Sequence, residues 1–118
     1  MWNCIALSQS VMSGAQNPTS APLLLTRLLH QAATRPAHPA FVEAERCTSF
    51  DALASQIAAQ GERLKSLIQA GDRVALVMDN SADLAVAMYA TWWAGGVVVA
   101  LNPALKPADI AQLAEACQ

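Results

Sequence analysis

The residues able to do chemistry are few and scattered. Cys4, Cys47 and Cys117 make an odd count with no close pair. A disulfide framework or a zinc site needs paired spacing such as C-x-x-C, so these read as small buried thiols in a reducing cytosol. His30 sits among leucines and His38 between Pro36 and Pro39. Neither has a second ligand at metal-binding spacing. Asp79 and Asp83 flank an expected helix start, where the positive end of the helix dipole stabilises a carboxylate. No third ligand is spaced to join them around a hard cation. The only lysines, Lys65 and Lys106, read as solvated surface charge. Gly95-Gly96 stands between an expected helix and the strand after it. A phosphate cradle needs its glycines before a helix, so that free amides point at the anion. G-x-x-x-x-G-K-[ST], G-x-G-x-x-G and G-x-S-x-G are all absent from the sequence. No residue is assigned a catalytic, cofactor-binding or metal-ligating role.

Composition narrows the class of protein instead. Of 118 residues, 54% are hydrophobic and 14% charged, and the formal net charge is −2. Averages are about 45–50% and about 25%, so the chain has apolar residues for a core and too few charges for disorder. Seven Lys+Arg without a basic run leave no nucleic-acid footprint. Residues 1–20 carry no charged side chain. A secretory signal needs a positive start and a longer apolar stretch than Cys4-Ile5-Ala6-Leu7. This stretch reads as a loose lead-in, and the composition break at Met12 suggests a start there.

The elements follow from periodicity. Ser20-Ala21-Pro22 opens a helix that carries Leu24, Leu25, Leu28, Leu29 and Ala32 at helical spacing and ends before Pro36. Ala40–Glu43 and Arg46–Ser49 are expected as short strands around a turn at Ala44-Glu45. A long helix over Phe50–Ala70 buries Leu53, Ile57, Leu64, Leu67 and Ile68 and wets Gln56, Gln60, Arg63 and Lys65. Gly71 stops it. Arg73–Met78 is a doubly buried strand. Asp79-Asn80-Ser81 turns the chain and caps a helix over Ala82–Ala94, apolar on nearly every side. Val97–Leu101 is a second buried strand. Strand, helix and strand make a βαβ unit with parallel strands. Pro107 opens a last helix, with Asp109 near its positive end and Ile110, Leu113, Ala114 and Cys117 on its apolar face.

The uncharged run Leu84–Leu101 is long enough for a membrane-spanning helix of about 18 residues or more. Gly95-Gly96 in its middle, helix formers before and valines after favour helix then strand. No cationic cluster flanks the run to orient it.

The order of these turns resembles the N-terminal part of the adenylate-forming, or AMP-binding, superfamily. Ser49-Phe50-Asp51-Ala52-Leu53 is similar to its Thr/Ser-Tyr-x-Glu-Leu helix opening. Ala52 replaces the acid of that capping box, and Thr48 with Asp51 offers a shifted one. Gly71-Asp72-Arg73-Val74-Ala75-Leu76 resembles its Gly-Asp-Arg-Val strand entry. Asn80-Ser81-Ala82-Asp83-Leu84 resembles its next cap, and Ala94–Pro103 its Ala-Gly-(Ala/Gly)-hydrophobic-Pro-Leu-Asn-Pro segment, with Ala100 for the common proline.

The resemblance implies an α/β fold: a partial parallel sheet flanked by helices, part of a larger N-terminal domain. Residues 1–20 are then the lead-in, and residues 21–118 an incomplete N-terminal subdomain of an AMP-dependent synthetase. The chain reaches Gln118 inside an amphipathic helix, so the domain is expected to continue. The parent would use ATP to turn a fatty or similar carboxylic acid into an acyl-adenylate and pass it to coenzyme A or a carrier thiol. ATP, magnesium and coenzyme A belong to that parent; for this chain no cofactor is expected. Its partners would be the rest of the ligase domain, not nucleic acid or a membrane, and its place the cytoplasm. This segment would be an inactive scaffold. The alternatives are a free-standing α/β interaction module and a single-span membrane protein.

Overall fold

The structure, a computed structural model, describes residues 4–7 and 22–117. Its element order is β1 (Cys4–Leu7), α1 (Leu23–Thr34), β2 (Pro39–Val42), β3 (Cys47–Ser49), α2 (Phe50–Lys65), β4 (Arg73–Val77), α3 (Ala82–Trp93), β5 (Val97–Leu101) and α4 (Pro107–Ala116). The expected Met12 start, most of the 1–20 lead-in and the Ser20 cap lie outside the described residues.

The βαβ unit is the spine. β4 and β5 pair in parallel, from Arg73 opposite Val97 to Val77 opposite Leu101. β1 adds an antiparallel strand on the other side of β4, so the sheet order is β1-β4-β5. The sequence analysis expected no element at Cys4–Leu7. Four apolar or small residues are too short a run to declare a strand alone; the free edge of β4 supplies the backbone partners that make it one. β2 and β3 form a separate hairpin, closed by reciprocal backbone hydrogen bonds between Glu43 and Arg46.

Two apolar clusters share α3. On one side Val86 packs with Leu25 and Leu28 of α1 and with Leu53 and Ile57 of α2. On the other Ala87 packs with Val74 and Leu76 of β4 and with Ile68. This double cover explains why α3 is apolar nearly all round. Leu84–Leu101 is therefore helix, turn and strand. Among the described residues no helix is long and apolar enough to cross a membrane.

The turn after α3 has a definite mechanism. Gly95 N–H donates to the Trp92 carbonyl and Gly96 N–H to that of Thr91 at 2.9 Å, a Schellman stop. Gly95 takes φ +83°, where a side chain costs about 1 kcal/mol or more.

Several expectations are corrected. α1 begins at Leu23, and Pro22 is its cap residue. α2 ends at Lys65, not Ala70. Ser66 and Leu67 amides bond three residues back, to Arg63 and Leu64, and the Ser66 hydroxyl also takes the Arg63 carbonyl. This tightened turn swings Leu67 outward, where it is 72% exposed. The cap of α2 is Ser49, whose Oγ accepts from Ala52 N–H at 3.3 Å. Thr48 is buried in β3 and makes no shifted box. The carbonyls of His38 and Pro36 take the Phe50 and Asp51 amides instead. β5 is not a buried strand: Val97 is 47% exposed, because β5 is a sheet edge among the described residues.

Candidate functional site

In parallel α/β sheets, ligands gather beyond the carboxyl ends of the strands. Here that end leads into the N-terminus of α3, where free amides could hold an anion. The chain fills this place itself. Ser81 Oγ accepts from Leu84 N–H at 3.1 Å. Glu43, from the hairpin turn, accepts from Ala82 N–H at 3.0 Å. Arg46 clasps Glu43 at 2.9 Å and reaches Asp83 at 3.2 Å. The Ala82 amide, and then Arg46, hold the Glu43 carboxyl below its ordinary 4.5. The hydrogen bond to Glu43 and the nearby Asp83 raise Arg46 in turn. This arrangement pins the hairpin to α3. An internal carboxylate, Glu43, sits where a phosphate would go.

The sequence analysis missed Glu43 and Arg46. Their three-residue separation across an expected turn was the available signal, but nothing in it pointed to α3, 39 residues on.

The other candidates stay apart. Asp83 is paired with Arg46, while at Asp79 the backbone carbonyl accepts the Ser81 hydroxyl. His38 Nδ1 lies 3.0 Å from the neighbouring Pro39 carbonyl, and His30 is exposed on α1. Cys47 and Cys117 are free thiols but not the buried ones expected: Cys47 is exposed on the short hairpin strand β3 and Cys117 half-buried at the end of α4; the side chain of Cys4 is outside the described residues. Among the described residues no group of three His, Cys, Asp or Glu could hold a metal ion.

A second polar cluster lies where α2 meets α3. The Trp93 indole N–H donates to Glu62 at 2.7 Å, and Lys65 pairs with the same carboxylate at 2.9 Å. Lys65 also lies 5.7 Å from the Trp93 ring centre, so it is not a purely solvated charge. Lys65 and then the indole hold Glu62 below its ordinary 4.5. Gly61 makes the contact possible: a Cβ there would collide with the Trp93 ring. Beside it runs a groove of about 450 Å³, between Gln60, Arg63, Leu64 and Leu67 on one wall and Leu76, Ala87 and Thr91 on the other.

A family described as "AMP-binding enzyme" matches residues 28–118. The chain belongs to the AMP-binding enzyme family. Solved structures agree in fold. The Klebsiella oxytoca NpsA N-terminal subdomain, in complex with anthranilyl-AMSN, superposes with a TM-score of 0.73 at 23% identity, over 79% of this chain and 24% of that one. The Bacillus subtilis o-succinylbenzoate CoA synthetase MenE, in complex with the acyl-adenylate intermediate OSB-AMP, superposes at 0.67 and 23% identity, over 75% of this chain and 23% of that one. Among curated protein sequences none matches. The chain spans about a quarter of the length of these two solved proteins.

Proposed function

We propose that this chain is the scaffold part of an enzyme that activates a carboxylic acid with ATP and magnesium to an acyl-adenylate. The acid is a fatty acid or a similar one, and the acyl group passes to coenzyme A or a carrier thiol. The enzyme works in the cytoplasm. Residues 21–118 are the opening subdomain, residues 1–20 its lead-in, and the rest of the ligase domain is the partner. The observation that carries this reading is the family match over residues 28–118. MenE, solved with the acyl-adenylate intermediate OSB-AMP, and NpsA, solved with anthranilyl-AMSN, support it through their shared fold.

Adenylation must preorganise a triphosphate, a carboxylate and the charge that develops between them. The contribution of this segment is rigidity: strands β4 and β5, held by α3, form a fixed wall against which a site can be assembled. The test is acid-dependent ATP–pyrophosphate exchange. The chain alone should show none. Exchange should appear when it is combined with the complementary segment of an AMP-binding enzyme split after the position matching Gln118. Exchange by the chain alone overturns the scaffold role. A complementary segment that binds the chain but gains no activity overturns the enzymatic reading.

A further inference from the structure

The two edges of the three-stranded sheet are finished differently. Beyond β5 no strand lies among the described residues, whereas the far edge of β4 is taken by Cys4–Leu7. That edge matters because β4 is enclosed: Val74, Ala75 and Leu76 are each no more than 2% exposed. Backbone amides in such a place need partners. The Val97 amide donates to the Asp72 carbonyl. Backbone groups point to alternate sides along a strand. Val74 and Leu76 therefore face β5, and Arg73 and Ala75 face β1. Ile5 opposite Ala75 and Leu7 opposite Arg73 are thus the pairs that exchange hydrogen bonds. Cys4 and Ala6 turn their amides away from β4.

We propose that the β4 edge is a strand-acceptor site and residues 4–7 its built-in occupant, recognised through the backbone and replaceable by the same segment supplied in trans. The pairing is antiparallel and in unbroken register, from Cys4 opposite Leu76 to Leu7 opposite Arg73. No hairpin turn imposes it, because α1, the β2–β3 hairpin and α2 all lie between β1 and β4 in sequence. The edge itself selects its partner, as in β-strand addition, where an extended segment docks by main-chain hydrogen bonds. Residues 1–20 carry no charged side chain, so the occupant brings no ion to desolvate against an enclosed strand. A strand of 4 residues also presents few free amides on its outer side, and short edges resist further pairing. β1 is thus a stopper that closes the sheet at β4. The rest of the ligase domain is left the β5 edge.

The test is amide hydrogen exchange of the whole chain by NMR, with proline placed at two adjacent positions. In wild type the Ala75 amide should exchange slowly, as the Leu76 amide does; this measurement needs no variant. Ile5→Pro removes the donor aimed at Ala75 and should detach β1. The Ala75 amide should then exchange at least ~10-fold faster, with Leu76 within about 3-fold of wild type. Ala6→Pro should leave both amides as they were, because proline is tolerated where an edge amide faces outward. A peptide of residues 2–9, added at about 1 mM under reducing conditions, should restore Ala75 protection in the Ile5→Pro chain. The same peptide carrying Ile5→Pro should not. Thermal melts check that both variants are folded. A fast Ala75 amide in wild type, two proline variants that behave alike, or a peptide that restores nothing each overturn the proposal. So does an Ala75 amide that the complementary ligase segment protects in the Ile5→Pro chain, since the edge would then belong to the rest of the domain.

Discussion

The layer made by α1, α2 and α3 and the end made by β5 and α4 both carry apolar residues for burial but are packed very differently. In the first, Leu53, Ile57 and Val86 are wholly enclosed. In the second, Val97 is 47% and Leu113 41% exposed, and α4 buries one residue, Ala114. The difference lies in cover, not composition. α3 is roofed on two sides, by helices and by the sheet, whereas β5 is a sheet edge among the described residues. An apolar pattern determines that a helix or strand has a face to bury. Whether that face is buried depends on a neighbour distant in sequence.

The sharpest way to break this contrast is truncation at both ends of it. Ile57→Ala should destabilise the fold by about 3 kcal/mol, through lost burial plus the cavity left in a dense layer. Leu113→Ala, measured in dilute protein, should cost no more than about 0.5 kcal/mol. Denaturant melts compare the two, and equal costs would mean that α4 is as firmly held as α2.

A smaller effect sharpens the packed side. Gly61→Ala improves helix propensity by about 1 kcal/mol. Yet its Cβ would collide with the Trp93 ring, and such overpacking costs about 1–3 kcal/mol. The net change in wild type should be destabilising. In a Trp93→Ala background the same Gly61→Ala should turn stabilising. A reversal of sign in a double-mutant cycle checks this.

The smallest effect is electrostatic. Glu43 and Glu62 are both held below their ordinary 4.5 in the folded chain. A depressed carboxylate contributes stability that is complete above its unfolded value and is lost as pH falls through its folded value. Stability should therefore be flat around neutrality and decline below about pH 4.5. Glu43→Gln should flatten that decline while leaving the Glu62 share in place. Melting temperatures between about pH 3 and 7 read it out, and an unchanged acid slope would show that the clamp on α3 adds nothing.

The helices, the βαβ order and the family were legible in the sequence, because each rests on neighbours within a few residues. Leu53 and Ile57 lie one turn apart, Ser81 caps its own helix, and Gly95 stops the helix it follows. These are local rules of spacing and backbone geometry. What only the tertiary structure decided involves partners distant in sequence. Cys4–Leu7 became a strand because β4 has a free edge. Glu43 reached Ala82, and Arg46 reached Asp83, because the hairpin folds over α3. Leu67 turned outward because a serine hydroxyl tightened the end of α2. Val97 stayed half-open because its strand is a sheet edge. Periodicity reports which residues seek cover; the three-dimensional arrangement of the other elements decides which of them find it.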